Sequence, residues 1–213
     1  IAIAVEAALA AKHAARIAVV DWDVHHGNGT EAIFYERADV LTLSLHQENN
    51  FPRPGGAFET QGDGAGRGCN INVPLLPGAG HDAFLHAFAR IVAPALRRFE
   101  PDAIVVACGY DAGGVDPLSR TLAHAGTFAA MTAETMALAD ELCAGRLALV
   151  HEGGYSELHV PFCGHATIAT LAGSAITAGD PLQSRIAAQQ PNARFAAFQH
   201  GLIDEMAAGL GLG

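Results

Sequence analysis

Residues 21–30 read Asp-Trp-Asp-Val-His-His-Gly-Asn-Gly-Thr and hold the side chains best suited to chemistry in this 213-residue chain. They follow directly on an apolar run at residues 17–20. Because successive side chains of an extended segment point to opposite sides, Asp21, Asp23 and His25 are expected on one face. One cation could therefore contact Asp23 and His25 together.

Two more apolar runs end in polar groups. Residues 102–108 lead into Gly-Tyr-Asp, which ends at Asp111, and residues 147–151 lead into Glu-Gly-Gly-Tyr, which ends at Tyr155. The carboxyl ends of parallel strands meet at one edge of a sheet, where ligands bind. We therefore expect Asp111 and Tyr155 to lie near Asp23.

Two aspartates and one histidine suit a zinc-type ion that keeps a coordination position open, as hydrolysis requires. A structural zinc ion is normally closed by four ligands. A single aspartate at a strand end more often caps a helix or accepts loop hydrogen bonds. Three converging strand ends favour the metal site.

The remaining pattern alternates strands and helices, which is typical of an α/β fold with a parallel sheet. A glycine-rich segment at residues 48–70 is too long for an ordinary connection and is a candidate functional loop. Strands are predicted at residues 17–21, 40–45, 70–73, 102–108 and 147–151. Helices are predicted at residues 1–15, 31–37, 81–99 with a kink at Pro94, 127–144, 166–176 and 193–206.

Composition limits the possible functions. The formal charge of −10 disfavours nucleic acid and suits cationic partners. Four scattered cysteines give neither a zinc ribbon nor a disulfide framework, and no apolar run is long enough to cross a membrane. We expect a soluble, cytoplasmic protein whose residues 1–213 form a single domain.

The chain starts at Ile1, without a methionine and inside an apolar helical pattern. An α/β domain that opens on such a helix is expected to have a strand before it. The sequence therefore predicts that the N-terminal part of the domain is missing, with processing or choice of boundaries as the alternative.

Several motifs together resemble the zinc-dependent histone deacetylase family. They are the segment at residues 21–30, Gly-Tyr-Asp-Ala at 109–112 and Glu-Gly-Gly-Tyr-Ser at 152–156. Three further segments resemble the bacterial class II-like amidohydrolases of that family, namely Ser-Leu-His-Gln at 44–47, Asn-Ile-Asn-Val-Pro at 70–74 and Val-Pro-Phe-Cys-Gly at 160–164. The match spans about residues 1–173. It implies a three-layer, parallel-sheet arginase/deacetylase-like fold, of which this chain is the C-terminal two thirds.

The resemblance also implies roles for individual residues. Asp23, His25 and Asp111 would bind one Zn²⁺, and Tyr155 would donate its hydroxyl to the oxyanion formed at an acetyl-amide carbonyl. Gly153 and Gly154 would let the turn deliver that tyrosine, and Phe51 would form one wall of the acetyl-lysine tunnel.

Two potassium ions are implied as well, bound largely through carbonyl oxygens. The first site would use Asp21, Asp23, His25, Ser44 and Leu45. The second would use backbone oxygens near Phe34, Arg37, Val40 and Cys69.

The family's paired general-base histidines correspond to positions before Ile1, and His26 should face away from the ligands. We therefore expect metal binding but little catalysis from this chain. The substrate would be an acetylated lysine side chain or an acetylated polyamine, and homo-oligomers remain open. The alternatives are a manganese ureohydrolase of the arginase type and a non-catalytic acetyl-lysine-binding module.

Overall fold

Five parallel strands form one sheet in the computed structural model, which describes residues 1–212. Their spatial order is β3-β2-β1-β4-β5, so the first strand of the chain is central. The predicted parallel sheet is therefore confirmed. The strands are β1 (Ile17–Asp21), β2 (Val40–Gln47), β3 (Asn70–Leu75), β4 (Ala103–Cys108) and β5 (Leu147–His151).

Strand β1 is buried along its whole length, as expected for a parallel strand covered on both faces. Its last residue, Asp21, is in register with Ser44 of β2 and Ala107 of β4. The loops that follow β1 and β4 therefore emerge side by side at the carboxyl edge of the sheet.

Helices cover both faces of this sheet. On one face, Ile17 and Val19 of β1 pack with Val5 and Phe34 from the first two helices. On the other face, Ala18 and Val20 belong to a larger apolar core shared with the later helices. The helices are α1 (Ala2–Ala10), α2 (Asn28–Phe34), α3 (His81–Ala87), α4 (Ala93–Phe99), α5 (Ala125–Cys143), α6 (Val160–Leu171), α7 (Gln183–Ala188) and α8 (Ala193–Gly209).

The first helix is shorter than predicted and ends at Ala10 instead of residue 15. Lys12 adopts a left-handed conformation with φ of 58°. The backbone N–H groups of Ala15 and Arg16 then donate to the carboxylate of Asp102, at 2.7 and 2.9 Å. This long-range anchor draws the chain out of the helix and into β1.

The kink expected at Pro94 takes the form of a π-helical turn, Phe88–Val92, between α3 and α4. Proline has no N–H to donate to the carbonyl four residues earlier. A wider turn at this point lets the helical path continue to Phe99.

Other boundaries also differ from the prediction. Helix α2 starts and ends three residues early, and α6 begins at Val160 because Pro161 occupies its first turn. Helix α7 was not predicted. Residues 48–69 contain one 3₁₀ turn, Gly64–Gly66, and otherwise no helix or strand, which agrees with the predicted loop. None of the helices in residues 1–212 combines the length and apolar character that a membrane span needs.

Candidate metal centre

Asp23, His25 and Asp111 lie together at the carboxyl edge of the sheet. The first two belong to the loop after β1, and Asp111 belongs to the loop after the neighbouring strand β4. The Nδ1 atom of His25 is 2.9 Å from Asp23 Oδ1 and 3.0 Å from Asp111 Oδ2. One ligand atom from each residue lies within 4.8 Å of the others, and this is the one such group in the described residues.

Backbone groups hold the two carboxylates in place. Asp111 Oδ1 accepts from the Val24 N–H at 2.8 Å, and Asp23 Oδ2 accepts from the Gly153 N–H at 2.8 Å. A Cβ atom added at Gly153 would overlap both carboxylates, and one added at Gly109 would overlap that of Asp23. Both glycines are therefore required for the backbone to approach so closely.

The three residues shift one another's pKa values. Hydrogen bonds to Asp111 and then to Asp23 raise the pKa of His25 to about 10. Burial raises the pKa of Asp111 to about 6, whereas hydrogen bonds from His25 and Gly153 outweigh burial and lower the pKa of Asp23. The Nδ1 atom of His25 thus lies between two carboxylate oxygens that favour a positive charge beside them.

This donor set fits a zinc ion. It offers two carboxylate oxygens and one imidazole nitrogen, as in hydrolytic zinc sites with three protein ligands. Because Gly153 has no side chain, its backbone can lie against both carboxylates without displacing them. His25 and Asp23 also line an open cleft, so a fourth coordination position would be open to that cleft.

The cleft has a volume of about 730 Å³. Phe51 and Tyr155 line it, and these residues are 71% and 52% exposed. Both rings meet the His25 imidazole edge-on, at centroid distances of 6.3 and 6.2 Å. Two aromatic side chains therefore flank the candidate ligand at the mouth of the cleft.

Tyr155 is delivered by the loop after β5. Gly154 in this loop has φ of 137°, a conformation that other residues rarely adopt. The Tyr155 backbone N–H donates to Asp116 Oδ2 at 2.7 Å. Burial, together with the charges of Asp111, Asp23 and Asp116, raises the pKa of the phenol, so its proton is retained at neutral pH.

Asp116 is a residue whose position the sequence did not reveal. Besides Tyr155, it accepts from the Leu118 N–H at 2.9 Å, so each of its oxygens has a backbone donor. A two-metal ureohydrolase would need further carboxylates at the metal. Asp116 instead connects two loops that line the cleft.

The residues expected at the first potassium site are partly brought together. Asp21 is in register with Ser44, whose hydroxyl accepts from the Gly27 N–H at 3.2 Å. Burial, followed by the charge of Asp23, raises the pKa of Asp21 well above its ordinary value. The side chain of Leu45 is fully buried in the core, so only its backbone could contribute a ligand.

At the expected second potassium site, Phe34 and Val40 share one apolar cluster. The Phe34 carbonyl accepts from the Arg37 N–H, and the Cys69 carbonyl accepts from the Thr42 N–H, both at 2.9 Å. The Arg37 guanidinium pairs with Asp39 and Glu6, at 2.7 and 2.8 Å. The Thr42 hydroxyl also donates to the Cys69 carbonyl, at 3.5 Å. The second potassium site stays a prediction.

His26 turns away from the candidate ligands, as expected for the neighbouring residue. Its side chain is buried, and Nε2 lies 3.2 Å from Glu31 Oε2. The same Glu31 oxygen accepts from the amides of Asn70 and Asn72, both at 2.7 Å. His26 therefore lines the cleft but bonds to a polar cluster separate from the candidate ligands.

Comparisons with known proteins bear on this arrangement. A model of the histone deacetylase domain matches residues 1–171. A histone deacetylase-like amidohydrolase from Pseudomonas aeruginosa is 55% identical over 212 residues, which cover all of this chain and 56% of that protein. A probable deacetylase from Archaeoglobus fulgidus is 38% identical over 76% of this chain and 45% of that protein. The chain thus spans little more than half the length of the first relative.

Solved structures give the same result for the fold. The structure of the histone deacetylase Clr3 superposes with a TM-score of 0.75 at 30% identity, covering 94% of this chain and 32% of that one. The HDA15 HD domain superposes with a TM-score of 0.78 at 30% identity. The superposition covers 99% of this chain and 57% of that one. The predicted deacetylase-like fold is therefore confirmed.

Proposed function

Because this chain belongs to the histone deacetylase family, we propose that it carries the metal centre of a zinc-dependent amide hydrolase that removes acetyl groups from lysine side chains or from polyamines. The observation that carries the proposal is the convergence of Asp23, His25 and Asp111 beside an open cleft, which the first two residues line. Acetyl-lysine and acetylpolyamines share an acetyl amide on a long methylene chain, so either could enter such a cleft.

Asp23, His25 and Asp111 would hold the ion. When bound, zinc would act as a Lewis acid that polarises the acetyl carbonyl and activates water. The Val24 and Gly153 N–H groups keep one oxygen of each carboxylate oriented. Fixed partners of this kind orient the ligands and strengthen metal binding.

Tyr155 would donate its hydroxyl to the oxyanion that develops on the acetyl carbonyl. Its ring stands beside the His25 imidazole, and its raised pKa keeps the hydroxyl protonated. Phe51, on the same cleft, would pack against the methylene stem of the substrate. The backbone hydrogen bond from Tyr155 to Asp116 would hold the loop in this position.

We also propose that the 213-residue chain hydrolyses its substrate slowly. Among the described residues that line the cleft, the histidines are His25 and His26. His25 is a proposed zinc ligand. The Nε2 of His26 lies against Glu31, and its Nδ1 is buried away from the space of the cleft. Neither is available as a general base.

Two finer points complete the proposal. Potassium would bind beside Asp21, because a cation there would let this buried carboxyl group, whose pKa is raised, stay ionised next to Asp23.

A reducing, cytoplasmic location is supported by four cysteines that form no disulfide within the described residues.

The test is the zinc content of the purified chain after loading and gel filtration. We expect about one zinc per chain for the wild type and almost none for Asp111→Asn, which keeps the acceptor for the Val24 N–H but loses the charge. Asp140→Asn removes the same charge from an exposed position on α5 and should bind zinc like the wild type. Circular dichroism would verify that each variant is folded.

Zinc retained by Asp111→Asn, or a folded wild type that binds no zinc, would overturn the ligand assignment. Two manganese ions per chain would indicate the ureohydrolase chemistry instead.

A further inference from the structure

A second cavity, of about 460 Å³, adjoins the cleft that holds the candidate metal centre. Asn50 and Leu118 line both cavities, so the two spaces meet at the mouth of the cleft. We call this second cavity the side groove. It is formed by residues 47–50 and Arg53 from one loop, Pro77, and residues 117–120 from the loop after β4.

Hydrogen bonds between these loops give the side groove a defined shape. The buried side chain of Gln47 accepts from the Arg120 backbone N–H at 2.7 Å. Asn50 donates its side-chain amide to the Leu118 carbonyl at 3.2 Å, and Arg53 donates to the Asn49 carbonyl. The loops that carry the two arginines are therefore tied to each other.

The charges of the side groove differ from those of the cleft. Arg53 and Arg120 are exposed, and neither forms an ion pair within residues 1–212, whereas Arg37 and Arg97 do. Glu48 is the one acidic residue that lines the groove. The cleft, by contrast, is lined by Asp23 and Glu152. In a chain with a net charge of −10, the side groove thus offers two guanidinium groups to an acidic ligand.

We propose that the side groove binds a carboxylate side chain of a peptide substrate, at a residue next to the acetylated lysine. This inference rests on the proposed function and narrows its substrate to an acidic protein segment. An extended peptide advances about 3.3 Å per residue, so a side chain one or two residues from the acetyl-lysine reaches the adjoining groove. Guanidinium groups pair well with carboxylates, whereas the ammonium groups of a polyamine would be repelled.

The experiment measures the binding of fluorescein-labelled acetyl-lysine peptides to the zinc-loaded chain by fluorescence anisotropy. Three peptides are compared, and they differ only at the residues on either side of the acetyl-lysine. These flanking residues are Asp in the first peptide, Asn in the second and Lys in the third. We expect the Asp peptide to bind about fivefold more tightly than the Asn peptide, as for a partly exposed ion pair, with the Lys peptide weakest. Salt should reduce this preference.

The protein variants identify the groups responsible. The double variant Arg53→Gln, Arg120→Gln should bind the Asp and Asn peptides equally and leave binding of the Asn peptide unchanged. It preserves the Arg120 backbone N–H that contacts Gln47. Arg194→Gln removes an exposed arginine from α8 and should keep the full preference.

Unacetylated peptides separate this proposal from the function it rests on. If acetylated peptides bind regardless of their flanking residues and unacetylated ones do not, the side groove proposal is wrong and the deacetylase function is supported. If the Asp preference depends on the arginines but acetylation has no effect, the groove is supported and the function is not. Absence of binding by every peptide would overturn the groove proposal, and zinc content would then decide the function independently.

Discussion

Two carboxylate clusters, one built around His25 and the other around Glu31, use similar residue types in opposite ways. In the candidate metal centre, a single ring nitrogen of His25 lies between the carboxylates of Asp23 and Asp111. In the second cluster, one oxygen of Glu31 receives three side-chain donors, from His26, Asn70 and Asn72. The first cluster has an excess of negative charge, and the second has an excess of donors.

This difference separates a site that can bind a cation from one that stabilises the fold. Burial, His26 and the two asparagine amides all act on the pKa of Glu31, and the hydrogen bonds outweigh burial and lower it. At Asp111, burial prevails and raises the pKa to about 6. A carboxylate that the protein has already satisfied gains little from a metal ion, whereas Asp111, whose pKa is raised by burial, gains a compensating charge.

The largest effect is expected from Gly153→Ala, which would break the metal centre alone. The added Cβ would overlap the carboxylates of Asp23 and Asp111, so zinc affinity should fall by about 100-fold or more. Overpacking should also cost about 1–3 kcal/mol of unfolding free energy. Zinc titration and denaturant unfolding measure the two effects.

Gly29→Ala is the matched control. Nothing lies within 4 Å of the position its Cβ would take, and Gly29 is inside α2. Alanine should therefore stabilise the protein by about 0.5–1 kcal/mol without changing zinc affinity. Equal loss of zinc in both variants would show that Gly153 is not specifically required.

Glu31→Gln would break the second cluster alone. Glutamine loses the charge that the three donors share, and we expect a loss of about 1–2 kcal/mol in unfolding free energy. Zinc content should stay at the wild-type level, because neither Glu31 nor its partners is a proposed zinc ligand. Glu36→Gln, at an exposed position, should change neither quantity. Loss of zinc in Glu31→Gln would mean that the two clusters are not independent.

The sequence predicted one of these clusters and missed the other. The apolar runs predicted all five strands within a few residues, and their carboxyl ends brought Asp23, His25 and Asp111 together as expected. Glu31 instead bonds to Asn70 and Asn72, which lie 39 and 41 residues further along the sequence. Asp116 bonds to Tyr155, 39 residues further along. Such contacts depend on how loops fold over the sheet, which no local periodicity encodes. Helix ends were missed for the same reason, as the Asp102 anchor beyond α1 illustrates.

The smallest expected effect is a pH dependence of the free energy of unfolding. It concerns the part of that free energy that Glu31 contributes in the metal-free protein. Since the folded pKa of Glu31 lies below its ordinary value, its stabilisation is complete above the unfolded pKa of about 4.3 and is lost as pH falls through the folded pKa. The stability gap between wild type and Glu31→Gln should therefore be constant from about pH 7 to pH 5 and narrow below about pH 4. Urea unfolding at a series of pH values measures this gap. A gap that widens on acidification would mean that the donors around Glu31 favour its protonated form, which would remove the contrast with Asp111.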